Sequence, residues 1–378
     1  HIDLVWLPPD LFTDNASASL RDRMPYVTNG EDGPRWVSRN GSKFGLVNGM
    51  GSAGRLYVPG QIHRSDRMAS TGLYEDGRRG IRRLTDPDLR LRDQDLDGVQ
   101  GEVLYGILGA TGRLNDPEAA TEVIRIYNQW LADFCDTHPE RFAGIACVPG
   151  HNMSSAIEEL ERVGKRGSVR GVEIPLQKDM NPLWDPYWEP LWAAVNELGL
   201  PMHFHTIGAG HPEIQGFPLQ VQRAAWAVYI TGFGIQMASV LMSMIFSGVF
   251  EKYPKLRLVI GESGIGWIPF MLEMADHNYE QMQVWEDGLK RKPSEIWHSN
   301  MYANFWFEEA GLETRHHVGV DNILYETDFP HPTSTWPNSK QCRETSLKGV
   351  PDDERRKILM ENAIKLYQLD VDYSGLEN

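Results

Sequence analysis

The sequence predicts a closed (β/α)8 barrel of the TIM type. From residue 100 onward, short apolar strands alternate with amphipathic helices, an order typical of parallel strands covered by helices. Eight strands can be counted when the first residues of the chain are included, as such a barrel requires. The alternative, an open doubly wound sheet, usually carries a glycine-rich phosphate loop after its first strand, and none follows here.

The elements can be placed in order along the chain. The predicted strands are short apolar runs at about residues 1–6, 101–106, 142–148, 170–175, 201–206, 257–262, 302–307 and 322–327. The predicted helices have apolar residues at helical spacing and cover residues 117–138, 153–167, 185–199, 236–254, 267–282 and 352–369. Ser155 is the expected N-cap of the helix over 153–167.

Residues 13–92 interrupt this pattern between the first two strands. The segment is rich in Gly, Arg and Asp, contains turn signals such as "NGEDGP", and shows no regular hydrophobic period. We therefore expect a loop-rich insertion that lies over the barrel mouth as a lid, within a single domain spanning residues 1–378.

Composition narrows the class of partner. The chain has 378 residues and a net charge of −15, so it should repel nucleic acid and anionic membrane surfaces. Its longest apolar runs are shorter than the ~20 residues of a membrane-spanning helix. The three cysteines form no metal-binding spacing and suit a reducing compartment. We expect a cytoplasmic protein that acts on a small molecule.

Histidine and acidic residues gather where the predicted strands end. His203 and His205, two apart on a strand, should share a face, and so should His1 and Asp3. A lone strand-end glutamate is more often a cap or an ion-pair partner, but burying several carboxylates together requires a cation. The sequence thus predicts a metal site built from six residues, His1, Asp3, Glu173, His205, Glu262 and Asp328. We expect His331 and Glu326 to lie outside the ligand set, and His1 to be a ligand rather than the remainder of a tag.

Long stretches of the chain resemble the amidohydrolase superfamily, in the branch that includes aminocarboxymuconate-semialdehyde decarboxylase. The most specific are "PPDLFTDNASASLRDRMP" (8–25), "DPYWEPLWAAVNELGLPMHFHT" (185–206), "GVFEKYPKLRLVIGESGIGWIPFMLEMAD" (248–276), "VGVDNILYETDFPHPTSTWPNS" (318–339) and "KILMENAIKLYQL" (357–369). The resemblance implies a (β/α)8 barrel with one or two divalent metals at its C-terminal mouth. It also implies a homo-oligomer or a pairing with a related barrel subunit. Because the first strand would otherwise start at its own ligand His1, we expect the native chain to extend upstream of residue 1.

The resemblance assigns roles to the same candidate residues. His1 and Asp3 match the H-x-H pair of the family's first strand, His205 matches its strand 5 ligand and Asp328 its strand 8 aspartate. Glu173 stands near the place of a bridging carboxylate. Glu262 replaces a histidine of the decarboxylases. These carboxylate-rich departures favour Mn or Fe over Zn, and two ions over one.

Three activities remain open at this point. The leading prediction is a metal-dependent hydrolase that cleaves a C–N or C–O bond of a small substrate. Asp328 would be its general base, and Glu262 or His203 would orient the substrate. The alternatives are an O2-dependent hydroxylase with a dinuclear Fe or Mn/Fe centre, and a non-oxidative decarboxylase of an aromatic or unsaturated acid. A degenerate, non-catalytic barrel is the remaining interpretation.

Three arginines in or beside the insertion invite a role in substrate binding. Arg21, Arg23 and Arg92 could bind a substrate carboxylate. The same segments are rich in acidic residues, so ion pairs that tie the insertion together are the favoured interpretation.

Overall fold

The structure is a computed structural model that describes residues 1–107, 109–176, 180–205 and 216–371. The chain forms two compact units. Unit 1 comprises His1–His151, Lys165–Val169 and Thr327–Lys340. Unit 2 comprises Asn152–Gly164, Arg170–Glu326 and Gln341–Asn378.

The insertion of unit 1 is more regular than the sequence predicts. It contains an antiparallel sheet of three strands, β1 (Tyr26–Gly30), β2 (Gly33–Val37) and β3 (Lys43–Leu46). Three helices follow, at His63–Ala69, Leu73–Arg78 and Pro87–Asp97. Helices and strands thus alternate with loops in a segment where the sequence shows no hydrophobic period, and its placement as a lid remains a prediction.

The helix Pro87–Asp97 shows why hydrophobic periodicity missed these elements. The Asp86 side chain caps its start by accepting from the Leu89 N–H at 3.0 Å, and Gly98 ends it with a φ of 72°. The residues it buries are polar: Arg90, Asp93, Gln94 and Asp97. Because these side chains are satisfied by ion pairs and hydrogen bonds, the helix has no apolar stripe to detect.

The predicted first strand is not a strand in the structure. Residues Leu4–Trp6 form a 3-10 turn, in which the Trp6 N–H donates to the Asp3 carbonyl at 3.0 Å. These local bonds replace the pairing that a strand would make. The Ile2 N–H still donates to the Tyr105 carbonyl at 3.1 Å, which fixes the start of the chain beside the end of the next strand.

Unit 1 also contains two parallel strands, β4 (Glu102–Leu104) and β5 (Phe142–Cys147). The amphipathic helix Pro117–Cys135 connects them, and the Asp116 side chain caps its start. Every residue of β5 is buried, in line with the continuous apolar run that predicted it.

Unit 2 carries five parallel strands that pair in chain order. They are β6 (Val169–Glu173), β7 (Met202–His205), β8 (Leu258–Gly261), β9 (Met301–Phe305) and β10 (Ile323–Tyr325). Glu173 stands opposite His203, and His205 opposite Gly261, so the predicted site residues lie at strand ends. Thr206, the last residue of the predicted strand over 201–206, lies outside the described residues.

The five helices that the sequence predicts in this part of the chain agree with the structure in type and approximate position, whereas Leu219–Thr231 and Pro293–Asn300 were not predicted. Its helices lie at Met153–Val163, Glu189–Leu198, Leu219–Thr231, Phe233–Phe246, Val249–Lys252, Ile268–Gln281, Pro293–Asn300, Glu309–Glu313, Arg315–Val318, Asp352–Arg356 and Asn362–Tyr367, with a π-helical turn at Lys357–Glu361. A further helix, Ser339–Ser346, begins in unit 1. The cap of Met153–Val163 is Asn152, not Ser155, because the Asn152 side chain accepts from the Ser155 N–H at 3.0 Å.

One segment of the described chain, Leu219–Phe246, is long and apolar enough to cross a membrane by length and composition alone. Polar residues such as Gln222, Arg223 and Gln236 interrupt the apolar runs of this segment, so no single long run marks it in the sequence. In the structure the segment consists of two consecutive helices. Apolar helices of this length also occur in protein cores, so the finding assigns no membrane location.

Candidate metal centre

Four residues of unit 1, His1, Asp3, Asp328 and His331, form a buried group that we call the His331 cluster. The His331 ring lies between two carboxylates, with Nδ1 2.8 Å from Asp328 Oδ1 and Nε2 3.1 Å from Asp3 Oδ2. His1 Nε2 lies 3.4 Å from the same Asp328 oxygen. The cluster thus joins both ends of unit 1 in one network of imidazoles and carboxylates.

Aromatic rings surround the two imidazoles. The His1 and His331 rings stack with their centroids 4.2 Å apart, and Tyr105 also stacks on His1, with the centroids 5.5 Å apart. The Trp6 ring lies 6.0 Å from His331. Each imidazole of the cluster therefore lies beside an aromatic ring.

The backbone conformation of Asp328 determines the direction of its carboxylate. Its φ is 60°, a left-handed conformation that is uncommon for residues other than glycine and often found at functional sites. The His331 N–H donates to the Asp328 carbonyl at 2.9 Å, which closes a tight turn. The Thr333 hydroxyl donates to Asp328 Oδ2, the oxygen that His331 does not contact.

The carboxylates determine the charge of His331. Burial tends to lower the pKa of this imidazole, but Asp328 and Asp3 on its two nitrogens raise the pKa well above its usual range. In the absence of a metal, a proton therefore supplies the positive charge that the two buried carboxylates need. A divalent ion would supply the same charge.

Unit 2 contains a second buried group, the Glu262 cluster, formed by Glu173, His205 and Glu262. His205 Nε2 lies 3.0 Å from Glu262 Oε2, and its Nδ1 lies 4.0 Å from Glu173 Oε1. Glu262 follows β8 with a φ of 49°, and its N–H donates to Glu326 Oε2 at 3.1 Å. In each cluster, an acidic residue that follows a strand thus has a left-handed backbone conformation.

His203 lies near the Glu262 cluster in the chain but has different surroundings. Its side chain is fully buried, and its ring stacks on Tyr367 with the centroids 5.6 Å apart. Burial, together with neighbouring His205, lowers the pKa of His203 to about 3. It is therefore a neutral imidazole.

The His331 cluster has a suitable donor set for a divalent metal. One ligand atom from each of His1, Asp328 and His331 lies within 4.8 Å of the others, and all three residues are buried. Imidazole and carboxylate together suit Mn, Fe or Zn. The predicted ligands His1 and Asp328 are thus brought together, and Asp3 joins them through His331.

His331, which the sequence led us to place outside the ligand set, lies between the Asp3 and Asp328 carboxylates in the structure. It follows Asp328 by three positions in an irregular turn, so no strand or helix period places it in the site. The signal that could have found it is the "DFPHP" stretch, in which a second ligand type closely follows a candidate ligand.

Comparison with known proteins places the chain in a family. The amidohydrolase family model matches residues 63–369, which is most of the chain. The chain therefore belongs to the amidohydrolase family and is an enzyme of that superfamily, as its resemblance to the aminocarboxymuconate-semialdehyde decarboxylase branch implied.

Two curated relatives indicate the chemistry within the family. A gamma-resorcylate decarboxylase of Rhizobium sp. (strain MTP-10005) is 27% identical, over 75% of this chain and 87% of the relative. The 2-amino-3-carboxymuconate-6-semialdehyde decarboxylase of Dictyostelium discoideum is 24% identical, over 75% of this chain and 77% of the relative. Both are decarboxylases.

Two solved structures confirm the fold class. An amidohydrolase from Mycobacterium avium subsp. paratuberculosis K-10 matches with a TM-score of 0.74 and 22% identity, covering 98% of this chain and 97% of that chain. A dihydroxybenzoic acid decarboxylase from Polaromonas sp. JS666, with bound manganese and the inhibitor 2-nitroresorcinol, matches with a TM-score of 0.63 and 24% identity, covering 82% and 95%. The (β/α)8 class is confirmed, and the prediction of a divalent metal agrees with the manganese of this neighbour.

The leading functional prediction was wrong. Hydrolysis is overturned because the relatives that match are decarboxylases of organic acids. The carboxylate-rich ligands that favoured an oxygenase find no support in these relatives. The presence of Glu262 in place of the strand 6 histidine of the decarboxylases had been interpreted as evidence against decarboxylation. The decarboxylase relatives overturn that interpretation.

Proposed function

We propose that this chain is a metal-dependent, non-oxidative decarboxylase of small hydroxylated aromatic acids. The observation that carries the proposal is the buried His331 cluster, whose donor set suits a divalent ion, in a chain whose relatives are decarboxylases. The aromatic rings of Trp6 and Tyr105 beside the cluster support an aromatic substrate.

The metal would be held by His1, Asp328 and His331. A bound divalent ion, for which Mn is favoured, supplies positive charge that binds and polarises substrate oxygens. Asp3 orients His331 through its hydrogen bond to Nε2, as carboxylates commonly do for metal-bound histidines. We also propose Glu173, His205 and Glu262 as ligands of one or two ions, an assignment that comes from the sequence resemblance.

Decarboxylation requires a proton at a defined place. The bond between the ring carbon and the carboxylate carbon breaks, CO2 leaves, and the electron pair left on the ring carbon takes up a proton. In the metal-free cluster, a proton occupies the 2.8 Å contact between Asp328 Oδ1 and His331 Nδ1. With the metal on His331, we assign delivery of the proton to the Asp328 carboxylate, whose Oδ2 accepts from the Thr333 hydroxyl.

The test is turnover with Asp328→Asn, a change that keeps the shape of the side chain. Purified wild-type protein with Mn2+ should release CO2 from one or more hydroxybenzoic acids, such as 2,6-dihydroxybenzoate, without consuming O2. Asp328→Asn should lower this rate by about 10²–10⁴-fold, the usual contribution of a positioned acid or base. Wild-type activity in Asp328→Asn, or O2 uptake without CO2 release, would contradict the proposal.

A further inference from the structure

Two side chains at the end of β9 in unit 2, Asn304 and Trp306, carry buried polar atoms. Asn304 is 7% exposed and Trp306 is 8% exposed. Within residues 1–107, 109–176, 180–205 and 216–371, no group forms a hydrogen bond with Asn304 Oδ1 or Trp306 Nε1. Buried polar atoms without a partner destabilise a protein and are rare in native structures. A ligand that brings both a donor and an acceptor would satisfy the two atoms.

The strand register determines the direction of these side chains. Residues that pair side by side in parallel strands point to the same face, as does every second residue of one strand. Continuing the pairing of β8 with β9 by one residue sets Asn304 beside Gly261, which pairs with His205. Asn304 therefore points to the face on which His205 lies, and Trp306, two positions later, follows it.

The Glu326 side chain links this part of β9 to the Glu262 cluster. Glu326 follows β10, and its N–H donates to the Phe305 carbonyl at 3.0 Å, so the pairing of β9 with β10 continues to this point. Its Oε2 accepts from the Glu262 N–H, beyond the end of β8, at 3.1 Å. Because β9 lies between β8 and β10, Glu326 reaches across the end of β9, where Asn304 and Trp306 lie. Neighbouring strands are about 4.8 Å apart, so both side chains are immediate neighbours of the cluster.

The backbone of Trp306 is tied to the segment that follows Glu262. Glu308 Oε2 accepts from the Trp306 N–H at 3.1 Å, and Glu308 Oε1 accepts from the Ile265 N–H at 2.6 Å. One carboxylate thus joins the end of β9 to the segment after β8. The indole N–H is therefore held in position before any ligand binds, which lowers the entropy lost on binding.

We infer that Asn304 and Trp306 form a polar subsite that binds a hydroxyl group on the ring of the substrate. A hydroxyl both donates and accepts, so it can donate to Asn304 Oδ1 while its oxygen accepts from Trp306 Nε1. An ionised carboxylate has no proton for the amide oxygen, and an ammonium group has no lone pair for the indole N–H. The two residues thus determine specificity. The inference rests on the proposed function for the aromatic acid that carries the hydroxyl.

Binding of three acids to the Mn2+-loaded protein, measured by calorimetry, tests the inference. The acids are benzoate, 3-hydroxybenzoate and 4-hydroxybenzoate, whose hydroxyls lie too far from the carboxylate to chelate the same ion. CO2 release is recorded in the same samples, so that binding and turnover are scored separately.

The acids are titrated into wild type, two variants of the subsite and one control. Trp306→Phe keeps an aromatic ring but removes the N–H, and Asn304→Leu keeps the shape of the side chain but removes the acceptor. The control is Trp184→Phe, at a tryptophan of unit 2 that is 65% exposed. The ratio of hydroxybenzoate to benzoate affinity is compared, because a general loss of packing or of metal affects all three acids alike.

Wild type should bind the better hydroxybenzoate at least about tenfold more tightly than benzoate, since two buried atoms gain partners. Each subsite variant should lower this ratio at least about threefold, and Trp184→Phe should leave it intact. Equal affinity of wild type for all three acids would mean that the subsite binds water only and would overturn the inference, as would an unchanged ratio in both subsite variants. If no acid is decarboxylated but the ratio depends on Asn304 and Trp306, the proposed function fails while the subsite stands.

Discussion

His331 and Asp3, which lie 328 positions apart, are joined by a hydrogen bond of 3.1 Å between Nε2 and Oδ2. The opposite nitrogen of the same ring contacts Asp328. One imidazole therefore bridges two buried carboxylates, one in the first and one in the last chain segment of unit 1. This arrangement makes His331 central to the predictions about the metal.

Replacing His331 with alanine should weaken metal binding by at least about 10–100-fold, because removing even a group that only orients a metal ligand has an effect of that size. The reason is that Asp3 and Asp328 would lose their shared partner. Metal content after dialysis, measured by elemental analysis, gives the answer. His63→Ala, which removes an exposed histidine of the same unit, is the matched control. Unchanged metal affinity in His331→Ala would show that the site lies elsewhere.

Removing the metal should abolish activity reversibly. Treatment with a chelator leaves the carboxylates and imidazoles of the His331 cluster in place but removes the charge that draws in substrate oxygens. CO2 release should fall to background and return when Mn2+ is added, in proportion to the metal bound. Full turnover in protein shown to be metal-free would rule out a metal-dependent reaction.

Glu262→Gln tests the one predicted ligand that departs most from the family pattern. The change keeps the shape of the side chain but removes the charge that faces His205 Nε2 at 3.0 Å. If Glu262 is a ligand, the metal bound per chain should fall, and the size of the fall will indicate whether one ion or two are present. Glu273→Gln, on an exposed face of a helix in the same unit, serves as the control. Equal metal content in both variants would remove Glu262 from the ligand set.

Arg90→Met should destabilise the protein by about 3 kcal/mol, the low end of the range for a broken buried ion pair, because Glu102 loses its cationic partner but keeps the hydrogen bond from Gln94. Arg90 is fully buried, and it donates to Glu102 through Nε at 2.8 Å and Nη2 at 2.5 Å. It also donates to the His1 carbonyl at 3.2 Å, so loss of order should reach the cluster. The free energy of unfolding in urea measures the effect. The double variant Arg90→Met/Glu102→Leu should recover much of the loss, and no recovery would argue against the unpaired charge as its cause.

Most of the strands and helices after residue 100 were predictable because they follow simple rules. Strand β5 is a buried apolar run, and the helix Pro117–Cys135 is amphipathic with an Asp-Pro start. The polar helix Pro87–Asp97 was not predictable, because its buried face consists of groups that pair with residues distant in sequence. Hydrophobic periodicity detects burial of apolar groups only.

The site residues also divide into those that a regular strand pattern positions and those that it does not. His205 and Glu262 were predictable because they sit at strand ends, where the chain period is regular. His331 was not, because its position depends on the left-handed turn at Asp328 rather than on any repeat. The choice of reaction could not be derived either, since hydrolysis and decarboxylation in this superfamily use similar ligand types.

The polar helix Pro87–Asp97 also connects the insertion to the loop over 327–340. Its Asp97 carboxylate accepts from the Ser339 N–H at 2.8 Å, and its Asp93 carbonyl accepts from the Trp336 indole at 3.0 Å. Both partners lie just beyond the turn that carries Asp328 and His331. A chimera or deletion that replaced residues 13–92 and disturbed this helix would remove the acceptors for these two hydrogen bonds from the loop. Because the boundary at residue 92 falls inside this helix, chimeras with other barrels must carry residues 13–97 and the loop over 327–340 together.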